Sequence, residues 1–270
     1  QKNLIKILDF MIKDFKTVIV TGGLGGIGLS LVSFFYKKNF NIIILDNKPK
    51  KEYLNLKIKK FYSQNSIIYK KIDLSKPSII KKLFTTLDSQ YKKIHVLINC
   101  AGVQHIDSIE SFPEHKWEKI IKINLSSSFY TCKYILPIMK KNCWGRIINI
   151  SSVHGQVASP NKSAYVASKH GLIGLTKTLA LETATLPITC NAICPGWVDT
   201  PLVSKQINDR VKKNKTNRDV ETNILLSEKH PNMKFISGKA IASLAYYLCS
   251  DEASTITGSS LNIDGGWTAR

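Results

Sequence analysis

The stretch that most limits the fold lies near the start of the chain. Thr17-Val18-Ile19-Val20 reads as a buried strand and runs straight into Thr21-Gly22-Gly23-Leu24-Gly25-Gly26-Ile27-Gly28, after which a helical pattern continues through Tyr36. Glycines there permit a tight turn and let backbone amides approach a pyrophosphate at the helix N-terminus. A glycine-rich loop alone is weak evidence; a strand before it, a helix after it and an acid at the right distance make it strong. The acid is Asp46, which closes the apolar run 42–45 and lies 18 residues past Gly28, near the roughly 20 expected of a ribose-binding carboxylate. Such a group accepts from ribose hydroxyls and repels a 2′-phosphate, so NAD is expected over NADP, with Lys48, Lys50 and Lys51 softening the discrimination. The plain alternative is a surface-loop aspartate. No Gly-Lys-Ser/Thr closes the turn, which excludes a phosphate-hydrolysing P-loop.

The remaining sequence alternates between strand and helix patterns. A third strand over 66–72 ends at Asp73-Leu74, a helix follows over 77–90, and a strand over 94–98 ends in Asn99-Cys100-Ala101-Gly102-Val103-Gln104-His105. Residues 115–140, including Asn124, are helical in pattern; a strand over 146–150 delivers Ser151 and Ser152. A helix over 161–184, a strand over 189–193 broken by Pro195-Gly196, a charged helix-compatible stretch over 202–228, a helix over 238–249 and a strand over 260–263 complete the order. This pattern predicts an α/β fold: a single Rossmann-type, doubly wound parallel sheet of about seven strands flanked by helices. Residues 16–270 would form one dinucleotide-binding catalytic domain, with 1–15 a lead-in outside the core. Ligands bind at the carboxyl ends of such strands, where Gly22, Asn99, Ser152 and Pro195 fall.

A second local signal is Ser163-Ala164-Tyr165-Val166-Ala167-Ser168-Lys169. On a helix Tyr165 and Lys169 share a face, so the ammonium can lie near the phenol. A fixed positive charge favours phenolate, which turns a group that titrates near pH 10 into a usable acid/base. Alone, Tyr-x-x-x-Lys arises by chance on many solvated helices.

Composition narrows the classes. The 270 residues, 43% hydrophobic and 21% charged, suit one large α/β domain. No apolar run approaches the roughly 18 residues of a membrane span, and the N-terminus lacks the continuous apolar stretch of a signal peptide. A cytoplasmic protein is expected, with an organelle left open by the basic N-terminus. The six cysteines (Cys100, Cys132, Cys143, Cys190, Cys194, Cys249) are scattered and form no CxxC pair, so buried free thiols and no metal are expected. A net charge of +20 invites nucleic acid as a partner. The lysines are spread along the whole chain, however, and a solvated basic surface is the reading adopted: no nucleic acid, no membrane. A serine hydrolase lacks support, because no Gly-x-Ser-x-Gly elbow precedes a helix.

Together the motifs resemble the short-chain dehydrogenase/reductase family. Thr21-Gly22-x-x-x-Gly26-Ile27-Gly28 is similar to its cofactor motif and Asn99-Cys100-Ala101-Gly102 to its Asn-Asn-Ala-Gly segment, with cysteine replacing the second asparagine. Asn124, Ser152, Tyr165 and Lys169 match its catalytic tetrad, and Pro195-Gly196 the motif beside the nicotinamide. The resemblance implies cofactor contacts from Thr21, Gly22, Gly26, Ile27, Gly28, Asp46, Asp73, Leu74, Asn99, Ala101, Gly102, Tyr165, Lys169, Pro195, Gly196 and Thr200. It also suggests a homotetramer.

The second half resembles more narrowly the branch of that family acting on D-3-hydroxybutyrate. Matching runs include Ser152-Val153-His154-Gly155, Asn161-Lys162-Ser163-Ala164-Tyr165, Leu226-Ser227-Glu228-Lys229 and Asp264-Gly265-Gly266-Trp267-Thr268-Ala269-Arg270. The region from Asp46 to Gln64 matches less well. This resemblance implies an NAD-dependent enzyme interconverting (R)-3-hydroxybutyrate and acetoacetate. Tyr165 would be the acid/base, Lys169 would lower its pKa, Ser152 would bind the reacting oxygen, and Asn124 would hold a water. Gln104, protonated His154, Lys162 and Gln206 would bind the carboxylate. Trp197 would wall the pocket, with Trp267 either a second wall or a core aromatic, and 197–228 would be a helical lid. Two rivals stand beside it: an NADP-dependent 3-oxoacyl thioester reductase, and a catalytically idle dinucleotide-binding protein.

Overall fold

A computed structural model describes residues 16–49, 67–91 and 93–269. The expected lead-in over 1–15, Lys50 and Lys51, most of the poorly matching region after Asp46, the first residue of the expected third strand and Arg270 lie outside the described residues.

Seven strands, β1 (Thr17–Thr21), β2 (Asn41–Asp46), β3 (Ile67–Lys71), β4 (Val96–Asn99), β5 (Gly145–Ile150), β6 (Ile188–Pro195) and β7 (Ser260–Ile263), form one sheet. Its order is β3-β2-β1-β4-β5-β6-β7, parallel throughout. Strands buried on both faces need apolar residues at successive positions, which is why β1, β4, β5 and β6 are buried along their whole length. Period-two alternation then sorts those side chains into two layers.

On one face Val18, Val20, Ile42, Ile44 and Ile98 pack with Leu31, Val32 and Phe35 of α1 (Gly26–Lys37) and Ile241, Ala242 and Ala245 of α8 (Gly238–Tyr247). On the other, Ile19, Ile43, Leu45 and Leu97 meet three helices: α2 (Pro77–Gln90) through Ile80 and Phe84, α4 (Ser127–Lys141) through Ile135 and Met139, and α5 (Ser163–Glu182) through Leu179. Burying a side chain such as Phe35 or Phe84 fully contributes roughly 1.5–3 kcal/mol each. These layers hold the strand ends in place.

The helical pattern expected over 115–140 is three elements. α3 (Glu114–Ile121) passes into a π-helical turn (Lys122–Ser126) before α4 begins. The charged stretch expected over 202–228 is also divided, into α6 (Pro201–Asn214) and α7 (Arg218–Lys229), at Lys215 with φ +53°. Arg210 bridges to Glu221 at 2.9 Å and Glu228 at 3.0 Å, tying the two helices into one unit. Beneath it lie Val203, Ile207 and Leu225. No described helix is long and apolar enough to cross a membrane.

Candidate active site

The glycine turn at the end of β1 is shaped by close backbone approaches. Gly22 has φ +64°, and a Cβ there would fall 2.7 Å from Ala101 Cα. A Cβ on Gly28 would fall 2.1 Å from the Gly22 carbonyl oxygen. α1 starts from Gly25 with no side-chain cap and no acid in its first turn, so its N-terminal amides face no competing carboxylate. Asp46 accepts from the Leu24 N–H at 2.9 Å and the Lys48 N–H at 3.1 Å, while Lys48 Nζ donates to the Leu24 carbonyl at 3.1 Å. Thr21 Oγ1 accepts from the Cys100 and Ala101 amides, joining the ends of β1 and β4. Thr200 lies against Gly26, where a Cβ would meet its Cγ2 at 2.7 Å. These residues fit a dinucleotide: a side-chain-free turn at an uncapped helix end, with a carboxylate closing the neighbouring strand.

Other expected cofactor residues have clear protein partners. Asp73 accepts from the Ser75 N–H and hydroxyl, and Leu74 is buried in the second core layer. Asn99 is turned inward: its amide donates to Asn149 Oδ1 at 2.9 Å and its carbonyl oxygen accepts from Thr131 at 2.8 Å. Asn149 in turn donates to Thr176 at 2.9 Å.

Ser152, Tyr165, Lys169 and Asn124 come together at the ends of β4 and β5. Ser152 follows β5, and its Oγ accepts from the His154 N–H at 3.1 Å. One turn of α5 separates Tyr165 from Lys169, whose Nζ lies 5.6 Å from the phenol ring centre and donates to the Ile150 carbonyl at 2.7 Å. The π-helical turn carries Asn124, fully buried, which exchanges hydrogen bonds with Val103 N–H (2.9 Å) and C=O (3.0 Å) and donates to Ser168 at 3.2 Å. A Cβ on Gly102 would be 3.8 Å from Lys169 Nζ and 3.7 Å from Asn124 Oδ1. The β4 loop therefore passes directly over the tetrad.

Burial dominates the titration here. It pushes the Tyr165 phenol up to about 12, the Cys100 thiol adding to the rise and a hydrogen bond with Ser152 opposing it. The sequence-based expectation that Lys169 lowers this phenol is not what these surroundings produce. Lys169 is itself desolvated, held down to about 8, and turned to a carbonyl.

A cavity of about 90 Å³ opens beside Tyr165 and Ser152. Gln104, His154, Lys162, Trp197 and Gln206 all line it, with Ile27, Pro195, Gly196 and Thr200 from the cofactor side and Trp267 closing it. His154 is buried between Tyr165 and Trp267, ring centres 5.9 and 5.2 Å away, with Nε2 bonded to Ser159 at 2.9 Å. Its expected protonation is corrected: desolvation, aided by Lys162 and Lys229, lowers its pKa to about 3, so the ring is neutral. Lys162 sits 4.7 Å over the Trp197 ring and is lowered to about 8 by burial and by Lys229.

Two features were missed in the sequence. Lys229, at the end of α7, stands 5.5 Å over the Trp267 ring. His230, fully buried, accepts from the Trp197 N–H through Nε2 at 2.8 Å and bonds the Lys234 carbonyl through Nδ1 at 2.7 Å. A Cβ at Gly196 would fall 2.3 Å from His230 Nε2, a physical reason for glycine after Pro195. The run through Lys229 was visible, but nothing local marks its neighbour as part of a pocket. The six cysteines are free thiols, but the expected burial holds for four of them: Cys100 is half-buried and Cys143 exposed. Among the described residues no cluster of His, Cys, Asp and Glu suits a metal.

Comparison with known proteins gives a consistent picture. The short chain dehydrogenase family profile matches residues 16–211. "D-beta-hydroxybutyrate dehydrogenase" of Rhizobium meliloti (strain 1021) is 43% identical over 256 residues, covering 94% of this chain and 99% of the relative. The protein of the same name from Cupriavidus necator is 41% identical over 255 residues, covering 94% and 98%. Among solved structures, 4-hydroxyisoleucine dehydrogenase complexed with NADH superposes with a TM-score of 0.84 at 32% identity, covering 94% of this chain and 99% of that one.

Proposed function

We propose that this chain, which belongs to the short-chain dehydrogenase family and is an oxidoreductase, interconverts (R)-3-hydroxybutyrate and acetoacetate with NAD. The observation that carries the reading is the small cavity itself. It is lined by Ser152 and Tyr165 together with Gln104, His154, Lys162 and Gln206. A small molecule carrying a hydroxyl and a carboxylate a few bonds apart would use both the acid/base groups and the donors of this one space. At about 90 Å³ the cavity is far below the roughly 300 Å³ and above of sites for drug-sized ligands. The names of the Rhizobium and Cupriavidus relatives support the same substrate.

NAD would lie with its pyrophosphate at the glycine turn and the α1 N-terminus, and its adenosine ribose at Asp46. When bound it supplies two-electron chemistry, taking up or returning the hydrogen at C3. Tyr165 exchanges the proton at the substrate oxygen: neutral phenol donates it during reduction, and phenolate accepts it during oxidation. Because burial raises the phenol, the acid form dominates at neutral pH, and oxidation needs that proton to leave. Lys169, near neutrality in its own titration, carries it onward beside Asn124. Ser152 Oγ hydrogen-bonds the reacting oxygen and stabilises its charge as it develops. Lys162 supplies the cation for the carboxylate, while Gln104, Gln206 and neutral His154 supply hydrogen bonds. The α6–α7 unit, carrying Gln206, covers the bound acid and excludes water.

Two accompanying proposals follow. Exposed Phe129 on α4 and Leu181 on α5 support association into a homotetramer, checked by light scattering. The free thiols suit a reducing compartment such as the cytoplasm.

The test is NADH formation from (R)-3-hydroxybutyrate beside the (S) enantiomer, with NADP as control. Turnover of the (R) acid with NAD alone is expected. Turnover of other alcohols but not this one would remove the carboxylate reading, and NAD binding without any turnover would favour the idle binding protein.

A further inference from the structure

The cover over the cavity contains a buried carboxylate whose donors come from the neighbouring helix and the turn after it. Glu221 of α7 is fully buried. Its Oε2 accepts from Arg210 Nε at 2.9 Å, and its Oε1 accepts from Asn214 Nδ2 at 2.9 Å and Thr216 Oγ1 at 2.7 Å. Arg210 and Asn214 belong to α6, and Thr216 to the turn that follows it. A carboxylate removed from water is costly unless such partners satisfy it. Val203, Ile207 and Leu225 already join the two helices by apolar contact. That contact is non-directional and does not by itself fix how α6 is rotated.

The spacing of those donors connects them with the cavity. Gln206, Arg210 and Asn214 follow one another at intervals of four residues, so they share one inclined stripe of α6. The two later turns of the stripe end on Glu221. The first faces the substrate space, where Gln206 lines the cavity together with Leu202 and Val203 of the same helix. A different stripe, Ser204 and Asn208, accepts from Arg218 at 3.0 Å each on the exposed side. Water competes for exposed polar contacts, which makes them weaker constraints. The rotation of α6 about its axis, and with it the direction of the Gln206 amide, is thus set from Glu221.

We infer that Glu221 is a positioning residue for the substrate acid: its buried carboxylate fixes the rotation of α6 and thereby places the Gln206 amide against the substrate carboxylate. The inference deepens the small-acid reading and rests on it. Glu221 touches neither substrate nor cofactor; it acts through Arg210 and Asn214 on the helix that carries Gln206. An ionised carboxylate only accepts, which suits three donors, whereas an amide in its place turns N–H groups toward them. Glu221→Gln therefore keeps the volume and loses the match.

The experiment is a double-mutant cycle of Glu221→Gln and Gln206→Ala. It reads the kinetic constants for (R)-3-hydroxybutyrate at saturating NAD, and calorimetric binding of butyrate, which lacks the reacting hydroxyl, to the NAD-loaded enzyme. Gln206→Ala should raise KM about 10-fold, as expected for one hydrogen bond to a charged group. Glu221→Gln should raise KM and weaken butyrate about 3- to 10-fold, with kcat and the KM for NAD little changed. In the Gln206→Ala background Glu221→Gln should add almost nothing, because residues that act through one contact are not additive. Thr216→Val removes a single bond to the carboxylate and should move KM in the same direction by less. A lowered unfolding midpoint with an unaltered KM, or the same rise in KM with and without Gln206, would overturn the positioning role. If Glu221→Gln does not fold, the cycle is run with Thr216→Val, and an unaltered KM there would overturn it equally. A Gln206→Ala enzyme with normal KM and butyrate affinity would show that Gln206 does not bind the acid, and the inference would fall with that contact. Turnover of another alcohol, with neither turnover of this acid nor binding of butyrate, would instead remove the small-acid reading and this inference with it.

Discussion

Two buried polar clusters of this chain behave as opposites. The first runs across the sheet from α4 to α5: Thr131 to Asn99, Asn99 to Asn149, Asn149 to Thr176. All four residues are at most 3% exposed, all are neutral, and their amide groups are paired within the chain. The second lies at the strand ends, where Gln104 and Trp197 keep unpaired N–H groups, His154 is forced neutral, and Lys162 is held down to about 8. A closed network lowers the energy of the folded chain by itself, whereas an open one carries a desolvation cost that a ligand offsets. In this pair the satisfied groups belong to the fold, and the unsatisfied ones belong to residues that line the cavity.

Substitutions should separate the two clusters by the quantity they move. The largest effect belongs to the open cluster. Tyr165→Phe should lower kcat by about 10²–10⁴-fold without lowering the unfolding midpoint, as steady-state rates and thermal melts would establish; near-normal turnover would end the acid/base assignment.

Next comes charge. Lys162→Gln should raise KM for the acid roughly 10- to 100-fold. Lys162 is lowered to about 8, so its ammonium is present below that pH and is lost above it. KM of the wild-type enzyme should accordingly rise above pH 8, and the variant's KM should stay flat there. Initial rates across pH 6–10 decide this, with kcat tracked separately because Lys169 titrates in the same range.

In the closed cluster Asn149→Leu should instead cost about 1–3 kcal/mol of stability, since Asn99 and Thr176 lose a buried partner. Denaturant unfolding would show the loss, and KM per folded enzyme should not change. If KM rises as much as in Lys162→Gln, the distinction between the clusters collapses. The smallest effect is expected for Gln104→Leu. Removing an orphan donor should leave stability unchanged or slightly raised while KM increases a few-fold, and a marked loss of stability would mean that Gln104 belongs to the fold.

Much of this is legible in the amino-acid sequence. The β1–glycine turn–α1 unit and Asp46 depend on near neighbours in the chain, so spacing reveals them, whereas the Tyr165/Lys169 spacing gains weight only beside the other motifs. The limits of the helices were harder to read. The π-helical turn that presents Asn124 breaks a pattern that looks continuous from 115 to 140, because one widened turn barely disturbs hydrophobic periodicity. Asn99 reads as a strand-end residue in a motif, yet its side chain closes the sheet's internal network, and only the partners across β5 reveal that.

The sequence by itself determined the alternation of strand and helix, the glycine turn, and which residues end the strands, because each is set by local sterics and the two hydrophobic periods. The tertiary structure decided the protonation of His154, the height of the Tyr165 pKa, and the roles of Lys229, His230 and Trp267. Those depend on desolvation and on charges brought together from α5, α7 and the segment after β7. Burial and Coulombic proximity are properties of three-dimensional distance, which spacing along the chain does not encode.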